Sequence, residues 1–197
     1  MVPISVLTLI MSPAPAPSIL VLQPSADTGS DRNSRVVPIW VGVSEATMLG
    51  VALEHARFKR PMTHDLFLDA LTSLDAFVDH VNIYDVQGPT FYAELAQRAH
   101  GQIISLDARP SDAISLALRE EAPLYMDEGV LERASFPYLF NPDADRDPDQ
   151  VMADFHTFIE HLSPDDFLDG GAAAPEGTGP ASPAGNGTNP GSTPAQS

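Results

Sequence analysis

Two short segments set arginine beside carboxylates where the chain turns into a helix: Arg60-Pro61-Met62-Thr63-His64-Asp65 and Asp107-Ala108-Arg109-Pro110-Ser111-Asp112. The first turn of a helix presents unpaired backbone N–H groups at its positive dipole end, so an anion is readily received there. Arg60 and Arg109 add forked donors that match phosphate oxygens, with the hydroxyls of Thr63 and Ser111 beside them. Carboxylates repel the same phosphate unless a divalent cation stands between. Asp65, Asp107, Asp112 and Glu45 are therefore candidate hard-oxygen ligands for Mg or Mn. His64, with a reference pKa of ~6.5, can activate a water or protonate a leaving oxygen near neutrality. Together with Asp65, Asp107 and Asp112 it forms the candidate catalytic set.

The same residues also have a purely structural reading. Asp65 and Asp112 in first turns satisfy orphan amides and complement the helix dipole, Glu45 does the same after a helix cap, and Arg60 and Arg109 pair with those acids. His64 then becomes an exposed first-turn histidine. His55, His80, His100, His156 and His161 show no paired metal-ligand spacing, and Trp40 and Tyr92 sit inside strand-like runs, where sheet packing explains them without a stacked base.

Charge narrows the chemistry further. The net charge is −17. Generic nucleic-acid affinity comes mostly from Lys and Arg displacing counterions, so a non-specific binder is disfavoured. Up to Ser135 there are 9 Lys/Arg against 17 Asp/Glu, and beyond it 1 Arg against 10 acids. Phosphate contacts must come from a few placed arginines. No cysteine is present, which removes disulfides, thiolate zinc sites and a cysteine nucleophile and fits a reducing cytosol. The apolar start lacks any Lys or Arg before Arg32, so it reads as strands, not a signal peptide. No run approaches the ~20 apolar residues of a membrane helix. A cytoplasmic protein without membrane contact is the expectation.

The elements that must position these groups follow from periodicity. Val2 to Met11 and Ile19 to Gln23 read as strands joined by the proline-rich stretch Pro13 to Pro17, and Val36 to Gly42 as a buried third strand. Ser44 is the candidate cap of a helix to Arg57 with Ala46, Leu49, Ala52, Leu53 and Ala56 on one face. Thr63 caps a second helix whose predicted buried stripe is Leu66, Phe67, Ala70, Leu71 and Leu74. A meander over 77–86, 90–97 and 102–108 precedes a third helix opened by Pro110, then a short strand at Leu124-Tyr125-Met126 and a short helix from Asp127 to Ala134. The order argues for an α+β fold: one compact domain over residues 1–135, its mixed, largely antiparallel sheet covered by helices. An acidic connection and an amphipathic helix follow over 136–169, with Val151, Phe155, Phe158, Ile159 and Leu162 on one face and Asp147 and Gln150 spaced as a capping box. Residues 170–197, rich in Gly, Pro and Ala, read as a disordered tail.

Val37-Pro38-Ile39-Trp40-Val41-Gly42, Glu45-Ala46, Arg60 to Leu66, Thr90-Phe91-Tyr92-Ala93 and Asp107 to Ile114, in this order across about 100 residues, resemble the bifunctional nuclease (BFN) family. Leu162-Ser163-Pro164-Asp165-Asp166-Phe167 resembles the end of many bacterial members. The resemblance implies an α+β fold and hydrolysis of phosphodiester bonds in RNA and DNA, with nucleic acid as substrate and not as a stable ligand. It supplies no set of catalytic residues. The Gln87-Gly88-Pro89 turn departs from the Asp-Gly type common in the family, and the Gly/Pro tail stands where some relatives carry a UVR-type helical domain.

The alternative is a non-catalytic module in which the two clusters bind an anion or partner. A homo-oligomeric scaffold, assembled through the sheet face and the helix after Pro148, would need a large exposed apolar patch. Convergence of the two clusters in one cleft favours the nuclease.

Overall fold

The computed structural model describes residues 1–25, 35–137, 153–155, 157–159 and 162. The elements follow in the order β1 (Val2–Ile10), β2 (Ser18–Pro24), β3 (Arg35–Val41), α1 (Val43–Leu53), α2 (Thr63–Ser73), β4 (Ala76–Gln87), β5 (Thr90–Ala99), β6 (Gln102–Ala108), α3 (Pro110–Glu120), β7 (Leu124–Met126), α4 (Glu128–Ala134) and β8 (Phe136–Pro137). The strands form one sheet in the order β6-β5-β4-β7-β1-β2-β3-β8. All neighbours are antiparallel except β4 and β7, which run parallel. The expected mixed, largely antiparallel α+β architecture is therefore present.

Strand β2 shows why its run is apolar without interruption. Leu20 and Leu22 enter the main core beneath α1 and α3, whereas Ile19 and Val21 enter a second cluster on the opposite face. A strand covered on both faces has no polar positions to alternate with. What covers the second face is the C-terminal helical segment: residues 153–155 and 157–159 are helical, and Phe155, Ile159 and Leu162 are buried against Ile19, Val21, Val36 and Phe136. The amphipathic helix thus packs on its own domain. Val151, the Asp147/Gln150 capping box and the 170–197 tail lie outside the described residues.

α3 is the centre of the helical layer, packing against β4, β5, α1 and α2. Its Pro110, Ser111, Ala113, Ile114, Ser115, Leu116 and Ala117 are all buried, and the missing N–H of Pro110 at the first position costs no hydrogen bond. The tight turn from β5 to β6 places His100 and Gly101 at φ 50° and 78°, two consecutive left-handed residues of the kind that match hairpin twist.

Three expectations need correction, the first being the cap of α2, which is Met62, with Thr63 the first residue of the helix. Ser44 does not cap α1; the cap is Gly42, and the helix stops at Leu53, leaving Ala56 exposed beyond it. In α2 the buried residues are Leu68 and Leu71, while Leu66 and Leu74 are 60% and 67% exposed. The inward face of α2 runs through His64, Leu68 and Leu71, at i, i+4 and i+7. Because that face begins with a histidine beside an aspartate, a purely apolar reading rotates the helix. Strand β8 pairs with β3 at the edge of the sheet.

Candidate functional site

The first segment enters α2 and the second enters α3, and packing of these helices brings most of both clusters together. Asp65, at the third position of α2, accepts from the Met62 backbone N–H at 2.9 Å, closing the helix end, and from Arg119 Nε of α3 at 3.1 Å. One position earlier, His64 Nε2 lies 3.6 Å from Asp112 Oδ1. Asp112 Oδ2 in turn accepts from Arg109 Nε at 2.9 Å, and Arg109 Nη1 donates to Glu45 Oε1 of α1 at 2.9 Å. The chain of contacts His64–Asp112–Arg109–Glu45 joins three helix N-termini.

Glu45 reaches Arg109 because it folds back over its own helix cap. A Cβ built on Gly42 would lie 2.5 Å from Glu45 Oε2. Here the glycine supplies space, its φ of −68° being open to any residue.

In front of Arg109 lies a cavity of about 270 Å³ lined by residues that include Trp40, Gly42, Glu45, Phe91, Arg109 and Ser111. The strings from β3, α1, the start of β5 and α3 therefore meet around one space. Arg109 is 65% exposed there, and its bonds to Asp112 and Glu45 use Nε and one hydrogen of Nη1, so three of its five donors remain for a ligand. Asp112 and Glu45 hold its guanidinium firmly charged, shifting its pKa upward. Ser111 is buried in the first turn of α3.

His64 is more enclosed than an exposed first-turn residue, its side chain being 13% accessible. Burial lowers its pKa, helped by the charge of Arg119 and opposed by Asp112 and Asp65, so the imidazole is neutral at pH 7. Its Nδ1 is buried with no partner among the described residues, as are Ser115 Oγ and Arg119 Nη2. The second ring nitrogen therefore does not open toward solvent.

Three candidates stand apart. Asp107 pairs in the ladder with Glu94, one position from Leu106, whose partner Leu95 faces the core; its carboxylate points to the other sheet face and accepts from Tyr84 Oη at 3.3 Å. Strand alternation separates it from Asp112. Arg60 is exposed in the loop before α2, outside the cavity lining, and Thr63 is exposed at the first position of α2. Among the described residues no three His, Asp or Glu side chains form a metal-holding group. Asp112 and Glu45 are committed to Arg109, and Asp65 to Arg119 and Met62, so the proposed ligand set Glu45, Asp65, Asp107 and Asp112 does not fit a single cation as placed.

Arg119, missed in the sequence, is the buried partner of Asp65, its side chain 10% exposed. A sequence signal for it exists: Asp112, Ser115 and Arg119 fall at helical spacing on one face of α3. The roles of Gly42 and Trp40 in the cavity wall need the tertiary fold.

No helix among the described residues is long and apolar enough to cross a membrane. A family profile for the bifunctional nuclease domain matches residues 29–138. An uncharacterised protein of Mycobacterium tuberculosis is 36% identical over 138 residues, covering 68% of this chain and 81% of that protein. Bifunctional nuclease 1 of Oryza sativa subsp. japonica is 28% identical over 103 residues, 51% of this chain and 31% of the plant protein. With the matched span holding the β3, α1, β5 and α3 strings that build the cavity, the chain belongs to the bifunctional nuclease domain family.

Proposed function

We propose that this protein hydrolyses phosphodiester bonds of RNA and DNA in the cavity fronted by Arg109. One observation carries the reading: a single exposed arginine with three uncommitted donors, fixed between Glu45 and Asp112, faces a cavity at the N-termini of α1 and α3. Such donors match the oxygens of a scissile phosphate and hold them more strongly as charge builds on them in the transition state. Ser111 adds a neutral donor from the same wall.

In this reading Glu45, 24% exposed at the cavity edge, takes the proton from an attacking water. Asp112 keeps Arg109 oriented, and neutral His64 supports Asp112 from behind. This division of labour uses the protein's own side chains. The expected Mg or Mn has no ready cage here, and its part is decided by the assay.

The test is cleavage of labelled single-stranded RNA and DNA by highly purified protein with Mg, Mn or EDTA, beside an Arg109→Ala protein prepared identically. Cleavage abolished in the variant supports the reading. Equal cleavage by both proteins, or none by either, removes it, and the latter outcome favours an anion- or partner-binding module.

A further inference from the structure

Every side-chain cation described outside one loop is already engaged. Arg35 is bonded to Ser135, Arg98 to Asp79, Arg109 to Asp112 and Glu45, Arg119 to Asp65, and Arg133 to Asp85. The exceptions are Arg57, Lys59 and Arg60, which are exposed and make no hydrogen bond or ion pair among the described residues. They lie within four consecutive positions between α1 and α2, and the fourth residue is Phe58, a phenylalanine left 56% exposed. Among the described residues of a chain with net charge −17, the arginines and lysines without a carboxylate partner are Arg35, which bonds the hydroxyl and carbonyl of Ser135, and these three, which surround one solvent-facing aromatic ring.

We propose that the Arg57-Phe58-Lys59-Arg60 loop is a docking site for single-stranded nucleic acid, its three cations pairing with backbone phosphates and Phe58 stacking on an unpaired base. Alternating cations and an exposed ring are what a sequence-tolerant strand-binding surface requires, since every base has a π face and every nucleotide a charge. A duplex hides its bases, so the ring would contribute nothing to it. Arg57 also lines a cavity with Asp65, Asp69, Glu120 and Glu121, whose carboxylates would repel phosphates from that side of the loop.

The loop also leads to the site. It runs through Pro61 and Met62 into α2, where His64 lies 3.6 Å from Asp112, the residue that holds Arg109. The choice of nucleic acid as ligand rests on the nuclease reading, and binding can be measured apart from turnover.

The experiment is fluorescence anisotropy of labelled single-stranded DNA and its duplex with the full chain in EDTA, at salt concentrations spanning roughly 50 to 200 mM. Variants are Phe58→Ala, the triple Arg57→Ala/Lys59→Ala/Arg60→Ala, and Arg109→Ala, each checked by thermal melting. Phe58→Ala is expected to weaken single-strand binding about 5- to 100-fold and leave duplex binding unchanged. The triple variant should lower the log–log salt slope by about 2, at roughly 0.7 for each phosphate no longer neutralised. Arg109→Ala should still bind through the loop. Loop-dependent binding without any cleavage would uphold the docking site and remove the nuclease reading. Wild-type affinity in both loop variants, or no binding by the wild type, would overturn the docking site even if Arg109-dependent cleavage is seen.

Discussion

Arg109 Nη1 donates to Glu45 Oε1 across 2.9 Å, tying the first turn of α1 to the cap of α3 over a separation of 64 residues. Exposed pairs of this kind contribute little to stability, about 0–1 kcal/mol, because water and salt screen them. Its value should lie in aiming the guanidinium. Glu45→Gln is therefore expected to change the melting temperature by no more than a degree or two while lowering kcat on the order of 10-fold or more. Parallel melting and cleavage measurements decide this, and a large stability loss would return Glu45 to a structural role.

Gly42→Ala probes the same pair from the other side. The new methyl would sit 2.5 Å from Glu45 Oε2, so the carboxylate must swing away from its position beside Arg109. Activity should fall while the fold persists, since the displaced atom ends a flexible side chain. An alanine variant with wild-type kcat would show that Glu45 need not stay there.

His64 makes stability depend on pH. Burial lowers its pKa below the ordinary 6.5, so between that value and the folded-state pKa the unfolded chain binds the extra proton. Stability that is intact above pH 6.5 should fall as pH drops through the folded-state pKa. Urea unfolding of wild type and His64→Gln from about pH 8 to about pH 5 should show this loss in the wild type and a smaller one in the variant. Parallel profiles would mean His64 is not the titrating group.

The inward face of α2 is equally open to test. Leu68→Ala, at a buried position, should cost about 2–5 kcal/mol, whereas Leu66→Ala, 60% exposed, should stay within about 0.5 kcal/mol. Phe155→Ala, fully buried on the second face of the sheet, should cost about 3–5 kcal/mol if the C-terminal helix belongs to the fold. Denaturant midpoints report all three.

These positions also show what is legible in the sequence. Strands with period two and the Pro110 helix start are readable because alternation and a missing N–H are local properties. The convergence of the Arg60 and Arg109 segments is readable only in part. His64, Asp65, Arg109 and Asp112 meet because α2 packs on α3, but Asp107, two residues from Arg109, is turned to the far face by the last step of a strand. The α2 stripe escapes a hydrophobicity pattern because polar His64 and Asp65 begin its covered side, stabilised by Asp112 and Arg119 from a helix some fifty residues away. Gly42 is legible as the end of a strand, but its need for space is not, since that arises from the Glu45 carboxylate folding back over it toward Arg109, a residue 64 positions from Glu45.

The most direct test compares kcat for cleavage of single-stranded RNA by wild type, Arg109→Ala and Asp107→Ala under identical purification and metal conditions. With the site in the Arg109 cavity, Arg109→Ala should lose about 100-fold or more, while Asp107→Ala, on the opposite sheet face, should remain within a few-fold of wild type. Retained turnover in Arg109→Ala, or a collapse in Asp107→Ala with folding intact, would contradict a catalytic site at Arg109.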